Sequence, residues 1–405
     1  MKRVLVISNN CFSKSNSNGR TLGNLFYSYE KDKIAQFYIS GVEDDYFCEH
    51  FYRVSDSDVI NSLMFLNGKF KQQDKIESFE KTTKTRNCKN MILRNIAWNL
   101  GFWKNNNLKK WLDDFNPECI LLQIGDCAFM IKFALWCAKR FKSKIFIYNT
   151  EGYYFKNFNY FRDGHDILYK IFISNYKRWF RKIIKKAECS IYLCDQLKKD
   201  YDNEFHKKSV VIYNSSSISL PPMTFDNFPV VSYIGNLELD RDKSLCDIAD
   251  ALQKIDISLK IDVYGRANEE TIKLFKQHNG INYCGFISYN EVQQVMSKTH
   301  ILLHVEGFNE FYVEDTKYGF SGKVADNLGS GRVFFVYAPK NVALVQYLKR
   351  MNHTMVFTDK CSLSDNIHLI FNKQLILSTI ENEKTIFDKN HNLEKNSKKL
   401  IALIN

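Results

Sequence analysis

The chain has 405 residues, 45% of them hydrophobic and 25% charged, with 17 glycines and only 5 prolines. That is too long for one ordinary domain and too apolar for a disordered or fibrous chain, so regular elements joined by short loops are expected. An excess of 57 Lys and Arg over 45 Asp and Glu gives a charge of +12, suited to phosphates, anionic lipid surfaces or nucleic acid without choosing among them.

The chain opens with Val4-Leu5-Val6-Ile7, an apolar run of the kind buried inside a parallel sheet. A polar loop from Ser13 to Gly19 leads to a helix beginning near Arg20. Residues 50–110, rich in Lys and Asn, predict helices and a long excursion. A second buried strand, Cys119 to Ile124, precedes Gly125-Asp126 and a helix from Ala128 to Arg140. The strand Lys144 to Tyr148 ends in Asn149-Thr150-Glu151-Gly152. A helix over Ile167 to Ala187, a strand at Ser190 to Leu193 and another at Val210 to Tyr213 close the first half. Residues 214–229 hold a run of serines and three of the prolines and read as a linker. The pattern then restarts with a strand over Val230 to Gly235 and a helix from Ser244 to Lys254. Strands at Leu259 to Tyr264, near Ile281 to Tyr283, and at Ile301 to Val305 follow, with helices at Glu269 and at Tyr289 to Ser297 between them.

Strand–helix alternation of this kind builds parallel sheets with crossovers. The expected architecture is α/β with two Rossmann-like domains, residues 1–213 and 230–375, and a ligand between them. Residues 376–405 form a C-terminal helical segment expected to pack back on the first domain.

Eleven scattered cysteines, with no CxxC, fit neither a zinc site nor a disulfide framework, so reduced thiols in a cytoplasmic protein are expected. The N-terminal apolar run is short and reads as a strand and not as a signal peptide. No stretch approaches the roughly 20 apolar residues of a membrane-spanning helix.

The most informative segment is Phe320 to Tyr337. Ser321 and Gly322 stand where a helix starts, Lys323 adds a cation, and Asp326 lies one turn further in. A surface ion pair on an ordinary helix is the competing reading. This segment resembles the nucleotide-binding stretch of the retaining glycosyltransferase family 4 and its relatives with the GT-B fold. The resemblance puts Asp326 in the acidic place that holds the donor ribose, Gly331 at the closing glycine, and Ser321, Gly322 and Val324 in the donor-binding turn. The family's first acidic place falls on Tyr318, which cannot do a carboxylate's work.

Tyr233 to Leu245 is similar to the family element whose Arg and Lys neutralise the donor diphosphate. Here Asn236 replaces the Arg, Arg241 occupies the Lys place and Lys243 follows. Gly235 and Gly265 match strand ends, and Phe286-Ile287 would pack against the nucleobase. Glu306 after its strand is a donor-side candidate, and His304 beside it reads as a core histidine. In the first half, Gly19 would face the donor, while Arg20, Asp126 and Glu151 are candidates to hold the acceptor. A flexible loop, or solvated loop acids, would explain each of these singly.

The resemblance implies transfer of a sugar, with retention, from a nucleotide diphosphate sugar to a glycan or lipid-linked oligosaccharide, in capsule or exopolysaccharide synthesis. Arg241, Lys243 and Lys323 would stabilise the leaving diphosphate, without a metal. Asp240-Arg241-Asp242 is also a DxD that could hold Mg²⁺ or Mn²⁺ in enzymes of another fold. The rivals are a nucleotide-sugar epimerase of the same fold, a nucleic-acid binder, and a catalytically dead scaffold motivated by Tyr318 and Asn236. No nucleic-acid recognition module is legible, so no nucleic acid is expected.

The segment from Asp166 to Ala187 carries seven cations and one acid. At about 100° per residue, Phe172, Tyr176, Phe180, Ile183 and Ile184 gather on one face and the cations on the other. An ordinary crossover helix explains this, and its outward cations would also suit an anionic membrane surface on the cytoplasmic side.

Overall fold

The computed structural model describes residues 1–14, 17–64 and 86–405. Two compact units emerge: Met1–Ile212 together with Ser397–Asn405, and Tyr213–Asn396.

The first unit is built on seven strands: β1 (Val4–Ile7), β2 (Ile34–Tyr38), β3 (His50–Arg53), β4 (Cys119–Ile124), β5 (Lys144–Asn149), β6 (Ala187–Tyr192) and β7 (Ser209–Val211). They pair in parallel in the order β3-β2-β1-β4-β5-β6-β7. All four residues of β1 are fully buried, as its unbroken apolar run requires. The expected excursion over 50–110 contains β3 and helices Asp56–Met64, Cys88–Leu100 and Asn106–Phe115, and its residues 65–85 lie outside the described residues. Helix Asp166–Lys186 buries Tyr169, Phe172, Tyr176, Phe180, Ile183 and Ile184, the face its periodicity marked. Its C-cap Ala187 is already extended and begins β6.

The second unit has β8 (Val231–Ile234), β9 (Ile261–Tyr264), β10 (Ile281–Gly285), β11 (Ile301–Val305), β12 (Val333–Tyr337) and β13 (Val356–Phe357), all parallel, in the order β10-β9-β8-β11-β12-β13. Both units are thus doubly wound α/β sheets of the Rossmann-like kind. The order reverses between β1 and β4 in one sheet and between β8 and β11 in the other, and α/β proteins bind ligands at the carboxyl ends beside such a reversal.

The stretch 214–229, expected as a linker, groups with the second unit. Met223, Phe225 and Phe228 pack on that unit's core, and the Asn214 amide donates to the Phe320 carbonyl at 2.9 Å. Most of the C-terminal segment stays there too. In helix Lys373–Asn390, buried Glu383 accepts from the Phe334 amide and from His353 Nε2, each at 2.8 Å. Only Ser397–Asn405 joins the first unit, where Leu400 and Ile404 enter the core and Ser397 Oγ accepts from the Ser28 amide at 2.8 Å.

Candidate functional site

The reversal in the second sheet places the residues after β8, Gly235 and Asn236, beside those after β11, Glu306 and Gly307. Helix Arg241–Gln253 follows β8 and starts three residues earlier than its apolar pattern suggested. Asp240 stands before it in the left-handed conformation, φ 59°, and turns the chain into the helix. The Ser244 hydroxyl donates to the Glu306 carbonyl at 2.8 Å and so pins the first turn of this helix to the end of β11. Close backbone approach does the rest. A Cβ on Gly307 would lie 2.1 Å from the Leu239 carbonyl oxygen, so no other residue fits there without a shift.

Arg241 and Glu306 meet across this junction. Glu306 Oε2 accepts from Arg241 Nε at 3.0 Å and from Nη2 at 2.7 Å, and Oε1 lies 3.3 Å from His304 Nε2. The two side chains are 16% and 6% exposed, so the pair is largely desolvated. Burial alone would raise the Glu306 carboxyl, but His304 and Arg241 outweigh it and hold the group below its ordinary value. A buried pair of this kind gains little net stability, yet leaving one partner alone is costly.

Lys323, the first residue of helix Lys323–Gly329, reaches the end of β8, where its ammonium donates to the Ile234 carbonyl at 2.8 Å. It can do so only because residue 235 has no side chain. A Cβ there would lie 2.2 Å from Nζ and 2.8 Å from the Tyr233 hydroxyl oxygen. Burial first, then the nearby Arg241 charge, lower the Lys323 pKa from 10.5 to about 8. Arg241 with its carboxylate partner and the Lys323 ammonium therefore both stand at the mouth of the sheet. Such a site gains electrostatically from any dianion that enters it.

The other residues expected here divide. Lys243 points outward, 68% exposed, with Nζ 2.9 Å from Asp240, and the structure does not bring it into the Arg241–Glu306 cluster. Asp242 accepts from the Thr271 hydroxyl at 2.7 Å, so the two DxD carboxylates serve separate partners. Among the described residues no group of three His, Cys, Asp or Glu side chains could hold a metal ion. In the turn, Ser321 Oγ accepts from the Lys323 amide at 3.3 Å and the Ser321 carbonyl accepts from the Val324 amide at 3.0 Å. Gly322 is the helical N-cap, and the Val324 side chain is fully buried in the core. Asp326 accepts from the Ser216 hydroxyl at 2.5 Å and contributes to the field at Lys323. Tyr318 is buried, while the Asn236 side chain bonds to Glu238. Gly265 closes against Gly235, with a hypothetical Cβ only 2.1 Å from the Gly235 carbonyl oxygen. Phe286 is 63% exposed beneath the Arg266 guanidinium, 4.6 Å from the ring centre, and Ile287 beside it is half-buried.

In the first unit, Asp126 follows β4 and is 5% exposed. It forms an ion pair with Arg86, accepts from the Tyr160 hydroxyl at 2.8 Å and lies 3.4 Å from Cys127 Sγ. It is a paired buried acid and not a solvated loop group. Burial, then Asp126, push the Tyr160 phenol far above its ordinary pKa. Arg86 carried no periodic signal, and nothing in the sequence linked it to a residue 40 positions away. Glu151 lies half-buried two residues beyond β5. Helix Ser17–Leu25 begins before Gly19, and that glycine is buried: a Cβ on it would lie 2.3 Å from the Cys11 carbonyl oxygen. Close packing thus explains Gly19 by itself. Arg20 is half-buried on the same helix.

No protein-family model matches the chain, and no curated protein compared with it does. Solved structures do. Over 100% of this chain and 98% of the other, it is similar to sucrose-phosphate synthase from Thermosynechococcus elongatus, with TM-score 0.63 and 12% identity. Over 99% of each chain it is similar to Anabaena HepE in complex with UDP and glucose, with TM-score 0.62 and 11% identity. A putative UDP-N-acetylglucosamine 2-epimerase from Listeria monocytogenes matches over 100% of this chain and 96% of the other, with TM-score 0.57 and 9% identity. The chain has the α/β GT-B fold with two Rossmann-like domains.

Proposed function

We propose that this chain is a glycosyltransferase that uses a nucleoside diphosphate sugar as donor. The observation that carries the reading is the Arg241–Glu306–Lys323 cluster at the carboxyl ends of β8 and β11. In the proposed reaction the bond from the anomeric carbon to the diphosphate oxygen breaks, and an acceptor hydroxyl oxygen bonds to that carbon. The hydroxyl proton passes to the departing phosphate, so no protein base is required and the sugar is transferred with retention. Negative charge grows on the leaving group, and Arg241 and Lys323 answer it from fixed positions. Phe286 with Arg266 offers a flat surface to the nucleobase, and Asp326 the ribose contact. Lys243, exposed and held by Asp240, is left a lesser part.

Arg20, Asp126 and Glu151 are proposed to hold the acceptor, a glycan or lipid-linked oligosaccharide of a bacterial capsule or exopolysaccharide. We read the reaction as metal-independent and cytoplasmic. UDP, the nucleotide bound by one structural neighbour, is the first to test. The likeness to the putative epimerase favours a second reading, isomerisation of the sugar without an acceptor.

One experiment addresses both. Thermal shift against UDP, GDP and ADP reports donor binding, since a ligand that binds only the folded chain raises the melting temperature. Release of nucleotide from the matching donor is then followed with and without an acceptor panel. Acceptor-dependent release supports the transferase, and an isomerised sugar formed without acceptor supports the epimerase. No shift with any nucleotide rejects both. Arg241→Ala should lower turnover more than donor affinity, and an effect on affinity alone would mean that its charge acts equally in the ground state.

A further inference from the structure

Two neighbouring helices of the first unit turn unusual faces to solvent. Helix Cys88–Leu100 buries Met91, Asn95 and Trp98 and leaves Leu93 (53% exposed), Ile96 (47%) and Leu100 (64%) outside. With exposed Lys89 these residues fall on one stripe at the helical repeat, and Phe102, 64% exposed, continues it past the helix end. Helix Asp166–Lys186 leaves Ile167 (77%) and Ile171 (55%) exposed.

The two helices run side by side. At one end the Cys88 amide donates to Asp163 at 2.6 Å, just before the second helix begins. At the other, Lys132 donates to Asn99 at 2.7 Å while its ammonium stands 4.7 Å from the Trp179 ring centre. Each helix buries its opposite face and leaves its stripe exposed.

Six large exposed apolar side chains on or beside two neighbouring helices exceed the scattered apolar residues of an ordinary protein surface. Their surroundings are cationic: Lys89, Lys170, Arg178, Lys182 and Lys185 are all exposed there, against exposed Asp166. The half-buried Trp179 ring lies under Lys132 and Lys182. We propose that this face docks on an anionic lipid surface, with Leu93, Ile96, Leu100, Phe102, Ile167 and Ile171 entering the headgroup boundary and the cations meeting lipid phosphates. Apolar residues bordered by Lys and Arg have the chemistry of interfacial attachment, where the two contributions add. A second copy of the chain would have to bring the same cations against themselves, so charge favours lipid over self-association. The basic helix alone was visible in the sequence. The apolar stripe on residues 88–102 was not, because the same segment also carries a buried stripe.

The full chain is sedimented with vesicles of phosphatidylcholine and with equimolar phosphatidylcholine and phosphatidylglycerol. The expected result is pelleting with the anionic vesicles only. Arg178→Gln with Lys182→Gln should lower the partition coefficient about twenty-five-fold, at a factor of roughly five per cation. Leu100→Ser with Phe102→Ser should lower it at least about tenfold, and the remainder should be lost in high salt. No pelleting at low salt, equal pelleting with neutral vesicles, or binding that neither variant weakens would overturn the proposal. So would a dimer in solution that the serine variant dissociates. The thermal shift with nucleotide, measured on the same variants, should be unchanged. It reports folding and donor binding separately from the lipid surface.

Discussion

Lys323 ties fold to chemistry through a proton. Its ammonium loses its charge near pH 8, whereas an unfolded lysine keeps it to about 10.5. Between those values the unfolded chain holds more protons, so this residue makes stability rise with pH across that window and opposes folding below it. A bound diphosphate would favour the charged form. Nucleotide binding at pH 9 should therefore take up a proton. Calorimetry in two buffers of different ionisation heat would read that uptake, and Lys323→Met should abolish it. Gly235 controls the same amine. Gly235→Ala should displace the lysine end and press on the buried Tyr233 ring, lowering the melting temperature and weakening nucleotide binding about tenfold or more through the lost charge-assisted contact. A titration with unaltered affinity would count against the placement of the diphosphate. Glu306 was legible after its strand, Lys323 at a helix start and Arg241 in the stretch that follows β8. The contact between Arg241 and Glu306 was not, because they are 65 positions apart and Gly307, which lets the backbones close, carries no chemistry of its own.

Among the elements, the plainest strands were the nearly unbroken apolar ones, β1, β4 and β11, and β5 to β10 were legible as well. The strands β2 and β3 escaped notice for a physical reason. Gln36 interrupts β2 yet is fully buried, because its amide donates to Ser8 Oγ at 2.8 Å and its carbonyl accepts from the Phe12 amide at 2.9 Å. It is a polar core residue that fastens the loop after β1. Gln36→Leu should strand the Phe12 amide and cost about 1–3 kcal/mol, measured by denaturant titration, with faster exchange of that amide. Helix 241–253 hid its start likewise. Its first turn is polar because Arg241 serves Glu306 and Asp242 serves Thr271, and periodicity marks only the residues that face the core.

At the scale of the whole molecule, two parallel α/β sheets were foreseeable from strand–helix alternation, and so was the restart near residue 230. The grouping of the ends was less so. Sequence pattern suggested that a long terminal segment would pack back, but helix Lys373–Asn390 remains with the second unit and Ser397–Asn405 alone joins the first. What decides this is a few side chains, Leu400 and Ile404 in one core and Ile376 in the other. A chain ending at Asn396 should therefore lose stability in the first unit selectively. In urea its tryptophan emission should change at lower concentration, since all five tryptophans lie in Met1–Ile212, while nucleotide still shifts the melting of the second unit. Coincident loss of both would show that the units fold as one.

Because those nine residues complete the first core, synthesis and folding run in opposite orders for half of the molecule. The seven-stranded sheet leaves the ribosome first but lacks part of its apolar filling until the second sheet has been made. A nascent first unit must wait, partly open, through the translation of residues 213–396, and the cell has that interval in which to hold it or degrade it.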